Sequence, residues 1–319
     1  MIRTAECVSP KHPDKMCDRI SDTILDFYLQ GDPNSRCAIE TCGGNGKVFV
    51  TGEVTSNTEV TEDDIKSIVH NISGVEDVIV HLTKQSPEIA QGVDTGGAGD
   101  QGIMIGYACR DNEQFLPQEY YLSRELNKFV FDKYPYDGKT QVTMNGNSLR
   151  VVCSFQNAPA DELEKLVIQY FEDFPQYHIE ALHCNPAGDW NIGGFTADAG
   201  LTGRKLAVDN YGPRVPLGGG AFSGKDCTKV DRSAAYMARR IAVDILEQRP
   251  EVQEVTVQLA YAIGYNQPLQ ASALVDGEHE FIKGYDLSPK GIIDFLDLRK
   301  PIFSNTAQFG HMGANFSWK

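Results

Sequence analysis

One order of elements recurs three times along this chain of 319 residues and limits what it can fold into. The first pass opens at His12-Pro13-Asp14, where Met16, Ile20, Ile24 and Phe27 follow at helical spacing and Gly31-Asp32-Pro33 closes the run. Proline in a first turn and glycine past the end are helix punctuation. Two strand-like runs follow, RCAIETC and KVFVTGEVTS, then a helix from Thr61 to Asn71 and the strand DVIVHLT. The second pass has a helix from Pro117 to Phe131, then TQVTMN and SLRVVCSFQ around a Gly-Asn turn, then a helix from Ala160 to Phe174. The third has a helix with Asp231 as its N-cap and Ala234, Ala238, Ile241 and Ile245 on one face. After it come EVTVQLAYAI, LQASALV and a helix from Pro289 to Leu296. The helix starts lie about 100–115 residues apart. An α-β-β-α-β unit met three times predicts an α/β fold with three similar layers of helix on sheet.

Glycine-rich connections lie between these elements: QGVDTGGAGDQG, NIGGFTADAGLTGRK and GPRVPLGGGAFSGKD. Loops on a rigid scaffold are where sites tend to sit. The last loop almost spells a phosphate-binding P-loop. From Gly219 it reads G-x-x-x-x-G-K, but Asp226 stands where the motif needs the Ser or Thr that holds Mg²⁺. The formal net charge is −15, from 44 acidic and 29 basic residues. A nucleic-acid binder needs a basic footprint instead, whereas a few focused cations suffice for a small anion. No run approaches the roughly 18–20 apolar residues of a membrane span. The opening MIRTAECVSPKHPDK lacks a signal peptide's apolar core. Eight cysteines without a C-x-x-C pair read as reduced thiols of a cytoplasmic protein, with no zinc site.

At HPDK, residues 12–15, a helix N-terminus with His12 and Lys15 favours an anion, and Asp14 offers a metal ligand. Simple capping explains the same letters. Asp18 and Asp22 continue at i+4 spacing and read as a solvated face. Lys225 and Lys229 flank Asp226, with Asp231 and Arg232 beyond. That suits a metal-polyphosphate complex, or else a flexible turn with an N-cap. The loop DAGLTGRK, with Arg204 and Lys205, favours the first reading, since two cationic glycine loops plus HPDK imply a strongly anionic ligand. Asp100, inside GGAGDQG, sits either where glycines admit a ligand or in a plain tight turn. Glu40 and Glu53 lie in strand-like runs and need a cation, a metal or a ligand ammonium, unless they stand at an edge in water.

The stretches HPDKMCDRISDTILD, GAGDQGIMIGYA, DAGLTGRKLAVDNYG and GGGAFSGKDCTKVDRSAAY, supported by KQSPEIAQGVD and FGHMG, closely resemble the S-adenosylmethionine synthetases, or methionine adenosyltransferases. The resemblance runs from Val8 to Gly313. It implies three α/β subdomains about a pseudo-threefold axis, with α+β layering. In sequence they cover residues 1–86, 96–190 and 191–319, discontinuous as structural units. It also implies attack of methionine sulfur on C5′ of ATP, with the expelled triphosphate then hydrolysed to pyrophosphate and phosphate. A thioether has no proton to lose, so the lack of a nucleophile or general-base motif fits. A sulfonium and a highly charged leaving group instead require cations and in-line positioning.

By motif position, His12 would stabilise the departing triphosphate, with Lys139, Arg204 and Lys225 sharing the catalytic work. Lys15, Lys205 and Lys229 would add phosphate contacts, and Asp100, Asp137 and Trp190 would hold the rest of ATP. Glu53, Gln85, Asp198 and Lys229 would face methionine. Asp14 and Asp231 would hold two Mg²⁺ and Glu40 a K⁺. The family implies a homodimer with active sites at the interface, with a tetramer as a further pairing, and neither nucleic acid nor membrane as partner.

This chain departs from the family pattern in several places. Ser9-Pro10-Lys11 replaces the usual Ser-Glu-Gly before HPDK, and Cys227 stands where proline is common. A short GVDTG also replaces a longer mobile loop, which implies faster product exchange. Other readings are a different polyphosphate enzyme, or a nucleotide-binding relative without turnover.

Overall fold

The computed structural model describes residues 1–84, 96–313 and 315–319. Among these residues, three four-stranded sheets form the framework. The first unit runs α1 (Pro13–Gly31), β2 (Arg36–Gly44), β3 (Lys47–Thr55), α2 (Glu62–Ser73) and β4 (Asp77–Lys84). The second runs α3 (Gln118–Lys133), β6 (Gly138–Asn145), β7 (Ser148–Phe155), α4 (Ala160–Glu172) and β8 (His178–Cys184). In both, a hairpin is followed by a helical crossover that returns the last strand parallel, the connection a parallel pair requires.

The third unit departs from the expected order. After α6 (Val230–Gln248), β10 (Glu254–Tyr261) and β11 (Gln270–Val275), its fourth strand β12 (Glu278–Phe281) comes back as a hairpin before α7 (Pro289–Leu296). Asp276-Gly277 supplies that turn with φ of 45° and 91°. Asp-Gly is the favoured pair where both central residues need positive φ, so the signal was present in the sequence.

Each unit also gives one strand away. Strand β1 (Ile2–Val8) pairs with β6 in the second sheet, and β5 (Gly102–Cys109) pairs with β10 in the third. The short β9 (Gly200–Leu201) returns to β2 in the first. The loops that leave these lent strands therefore cross from unit to unit.

Helix α1 is the member that those crossings meet. Met16, Ile20, Ile24, Leu25 and Tyr28 pack into the core, while Phe27 turns outward instead of joining them. The solvated face expected at Asp18 and Asp22 does not exist. Asp14, Asp18, Asp22 and Asp26, four residues apart, are at most 5% exposed. Each accepts backbone N–H groups from a different place: Leu201 (3.0 Å), Gly203 (2.8 Å), Gly224 (2.8 Å), and Phe303 with Ser304 (3.0 and 2.8 Å). Buried carboxylates persist only when so satisfied. An i+4 row that reads as a wet stripe is thus a row of loop anchors.

Candidate active site

His12 caps α1, its Nδ1 accepting the Asp14 N–H at 3.2 Å. That bond leaves the proton of a neutral imidazole on Nε2. Burial, then Lys205 and more weakly Lys139, push the His12 pKa down to about 4, against the opposing effects of Asp14 and Asp198. His12 lines a cleft of about 240 Å³ with Asp137, Lys139, Ser154, Trp190 and Asp198. Five residues expected at the site from distant stretches thus meet around one space. A larger groove of about 1090 Å³ passes Tyr28, Asp32, Asn57 and Lys84, and among the described residues it holds none of the expected groups.

Trp190 is fixed from behind. Its Nε1–H donates to Ser154 Oγ (3.1 Å) and Asn185 Oδ1 (3.3 Å). Asn185 is itself held through Ala158 O and Phe155 N–H. The Asp137 carboxylate accepts Gly194 N–H at 3.0 Å, and burial still raises its pKa. Asp198 is exposed and accepts its neighbour Ala199 N–H at 2.8 Å.

Beside the cleft, Asp14 pairs with Lys205 and lies 3.3 Å from Arg204 Nε. Burial alone would raise the Asp14 carboxyl, but Lys205 and the Leu201 N–H hold it below the usual carboxylate range. Gly200 packs on the Pro13-Asp14 backbone, where a Cβ would clash, so the GRK loop sits hard on the helix start.

A second group forms where GGGAFSGKD meets α6. Asp231 does not cap that helix; Lys229 occupies the N-cap position, with no side-chain capping bond. Asp231 accepts Gly220 N–H at 3.1 Å and lies 2.6 Å from Lys225 Nζ. The carboxylate thus turns toward the glycine run, and a Cβ at Gly219 would strike it. A Cβ on Gly102 would stand 3.6 Å from Asp231 Oδ1. Asp100, two residues before it in the chain, is exposed and accepts the Gln101 N–H at 2.7 Å. Lys225 also bridges to Ala38 of β2, and Ala38 faces Glu53 of β3. Two inter-strand spacings, about 10 Å, separate Lys225 from Glu53 along one row.

Among the described residues, no hydrogen bond or ion pair joins the Asp14 and Asp231 groups. Both groups are anchored on α1, but the chain does not bring them into contact.

Other expectations fare differently. Lys15 is fully buried and its ammonium binds Asp18 (3.0 Å) and Asp209. The helix turns it inward, so the structure does not bring it to the cleft. Lys229 pairs with Asp226, which also accepts Cys37 N–H (2.7 Å) and Thr228 N–H (2.8 Å). Asp226, where a P-loop has its hydroxyl, therefore ties the loop to β2. Glu40 stands exposed, paired in register with Thr51 of β3. Gln85 and the short connection, Gly96 apart, lie outside the described residues. Ser154 and Asn185 were not expected, and nothing in their local sequence marks them.

No cluster of three or more His, Cys, Asp or Glu suited to a metal occurs among the described residues. Single carboxylates at Asp14 and Asp231 fit Mg²⁺, which takes one or two carboxylates plus substrate phosphates and keeps its other waters.

Comparison with known proteins agrees along the whole chain. The S-adenosylmethionine synthetase N-terminal domain model matches residues 1–94, the central domain 95–189 and the C-terminal domain 192–319. The S-adenosylmethionine synthase of Parvibaculum lavamentivorans is 40% identical, with 99% of this chain and 95% of the relative covered. That of Pelagibacter ubique is 39% identical over the same shares. Among solved structures, an S-adenosylmethionine synthetase from Campylobacter jejuni superposes with a TM-score of 0.88 at 32% identity, covering 99% of this chain and 96% of that one.

Proposed function

The chain belongs to the S-adenosylmethionine synthetase family and is a methionine adenosyltransferase, and from that premise we propose how its residues divide the work. The substrates are ATP and methionine: sulfur attacks C5′ and the triphosphate leaves. The observation that carries our assignment is the meeting of His12, Asp137, Lys139, Trp190 and Asp198 around one cleft beside the Asp14–Lys205 pair.

His12, neutral with its proton on Nε2, donates to the oxygen that departs from C5′ as charge gathers there. Preorganised donors of this kind act without reorganisation at the moment of reaction. Lys139, Arg204 and Lys205 take phosphate oxygens on the cleft side, and Lys225 with Lys229 on the other. The Trp190 ring, held from behind, offers its face to adenine, with Asp137 and Asp100 on the nucleoside side. Glu53 receives the methionine ammonium, helped by Asp198 and Gln85. Mg²⁺ at Asp14 and Asp231, when bound, neutralises triphosphate oxygens. For K⁺ this chain supplies one exposed carboxylate, Glu40.

The Asp14 and Asp231 groups complete one another across two copies of the chain. We therefore take a homodimer with shared active sites as the working unit, with a tetramer as a pairing of such dimers. All eight cysteines are free, seven of them buried, which supports a reducing cytoplasmic setting. No described helix is long and apolar enough to cross a membrane. Purified protein given ATP and methionine should form the sulfonium product, detected by mass. Dropping Mg²⁺ should abolish it and dropping K⁺ should slow it; product formed equally without either ion contradicts the cation assignment.

A further inference from the structure

Asp22 and Arg232 form an ion pair with no exposed surface on either side chain. The fork is bidentate, Nη1 to Oδ1 at 2.6 Å and Nη2 to Oδ2 at 2.9 Å. The pair has further bonds in one direction. Asp22 Oδ1 accepts Gly224 N–H at 2.8 Å, and Arg232 Nη1 donates to Lys225 O at 3.0 Å. The peptide groups on both sides of the Gly224–Lys225 step are therefore held by this pair. Gly224 also has φ of 82° and lies against Ile39 O, where no Cβ fits.

Arg232 in turn follows Asp231 directly in the first turn of α6. Its Nε donates to Tyr236 Oη at 3.0 Å, and its guanidinium sits 4.2 Å over the Phe303 ring. With all three nitrogens engaged, Arg232 cannot turn without shifting Lys225 on one side or Asp231 on the other.

We propose that Asp22, through Arg232, is a positioning residue for the reaction: it sets Lys225 and Asp231 in register with each other. The inference rests on the assignment of Lys225 and Asp231 to the phosphate and metal side of the site. A carboxylate about 200 residues away, touching no substrate, then controls turnover, because misplacement of about 1 Å can cost about 100-fold.

The test is a double-variant cycle on the full-length enzyme, with Lys225→Ala, Asp22→Asn and the pair of substitutions together. Asn keeps an acceptor for Gly224 N–H but loses the charge that orients Arg232. Each single variant should lower kcat about 100-fold with KM for ATP changed less than about 5-fold. The double should fall no more than about 3-fold below the worse single, since residues acting as a unit are not additive. Losses that multiply, or an Asp22→Asn enzyme within about 3-fold of wild type, overturn the positioning role alone. An unaffected Lys225→Ala enzyme overturns instead the assignment beneath it. If Asp22→Asn does not fold, Arg232→Lys, which keeps the charge but not the fork, carries the same cycle. If neither folds while Lys225→Ala does, the pair is purely structural and the proposal falls.

Discussion

Lys225 Nζ lies 2.6 Å from Asp231 Oδ2, so a lysine assigned to phosphate already neutralises a carboxylate assigned to metal. Lys205 and Asp14 repeat the arrangement at the other group. Such a pair binds neither ion well alone, because each must displace a partner held in place. Together they exchange partners, carboxylate to metal and ammonium to phosphate. Titration calorimetry should therefore find Mg²⁺ binding at least about 10-fold tighter with pyrophosphate present than without, a coupling of about 1.4 kcal/mol. Equal affinities in both titrations contradict this exchange.

Capping and catalysis by His12 can be separated. Asn is a good N-cap residue, so His12→Asn should leave the melting temperature within about 2 °C, which is about 1 kcal/mol for a chain this size. The same change shortens and moves the donor, and kcat should fall about 100- to 1000-fold. Unchanged turnover in the folded variant would return His12 to a capping role.

The pH dependence has a definite sign. The His12 pKa falls from 6.5 to about 4 on folding, burial being the largest cause. Between those values the unfolded chain binds a proton that the folded site refuses. The stability contribution is therefore full above about pH 6.5 and is lost as pH falls toward about 4. Denaturant midpoints at pH 7.5 and 5 should drop further for wild type than for His12→Asn. Parallel drops would show that His12 does not carry this dependence.

Glu53 separates the two chemical steps. Glu53→Gln should raise KM for methionine about 10-fold or more, the value of a lost charge-assisted bond. Hydrolysis of added inorganic triphosphate should change little, since that step needs no ammonium. A matched loss in both assays would move Glu53 to the phosphate side.

The shared site is tested by mixing two defective forms. Asp14→Asn and Asp231→Asn homodimers should each be nearly inactive. After co-refolding, about half of the dimers are mixed, and each mixed dimer holds one fully wild-type site, so about a quarter of the activity returns. No recovery in a sample shown to contain mixed dimers rules out the arrangement.

Much was legible from local signals. The Pro13 start and Gly31 stop of α1 were readable, as was the run of helices and hairpins through the first two units. These follow from spacing and turn chemistry that any window of the chain displays. The Asp276-Gly277 hairpin was equally local and was passed over, so β12 was missed. The i+4 spacing of Asp14, Asp18 and Asp22 was visible, but the reading of Asp18 and Asp22 as a solvated face was wrong, since both are fully buried. Spacing places four carboxylates on one side of a helix and says nothing of what covers them.

The residue types of the site, its cationic glycine loops and the family they belong to were set by the sequence alone, because backbone approach and phosphate charge demand those letters in that order. Tertiary structure decided which of those charges reach the cleft. Lys15 and Lys205 are both lysines beside carboxylates, yet one ends in the core with Asp18 and Asp209 and the other beside the cleft with Asp14. The difference arises from lent strands that carry distant loops onto α1. A helix's neighbours are chosen by contacts hundreds of residues apart, and burial then determines whether a charge serves the fold or the substrate.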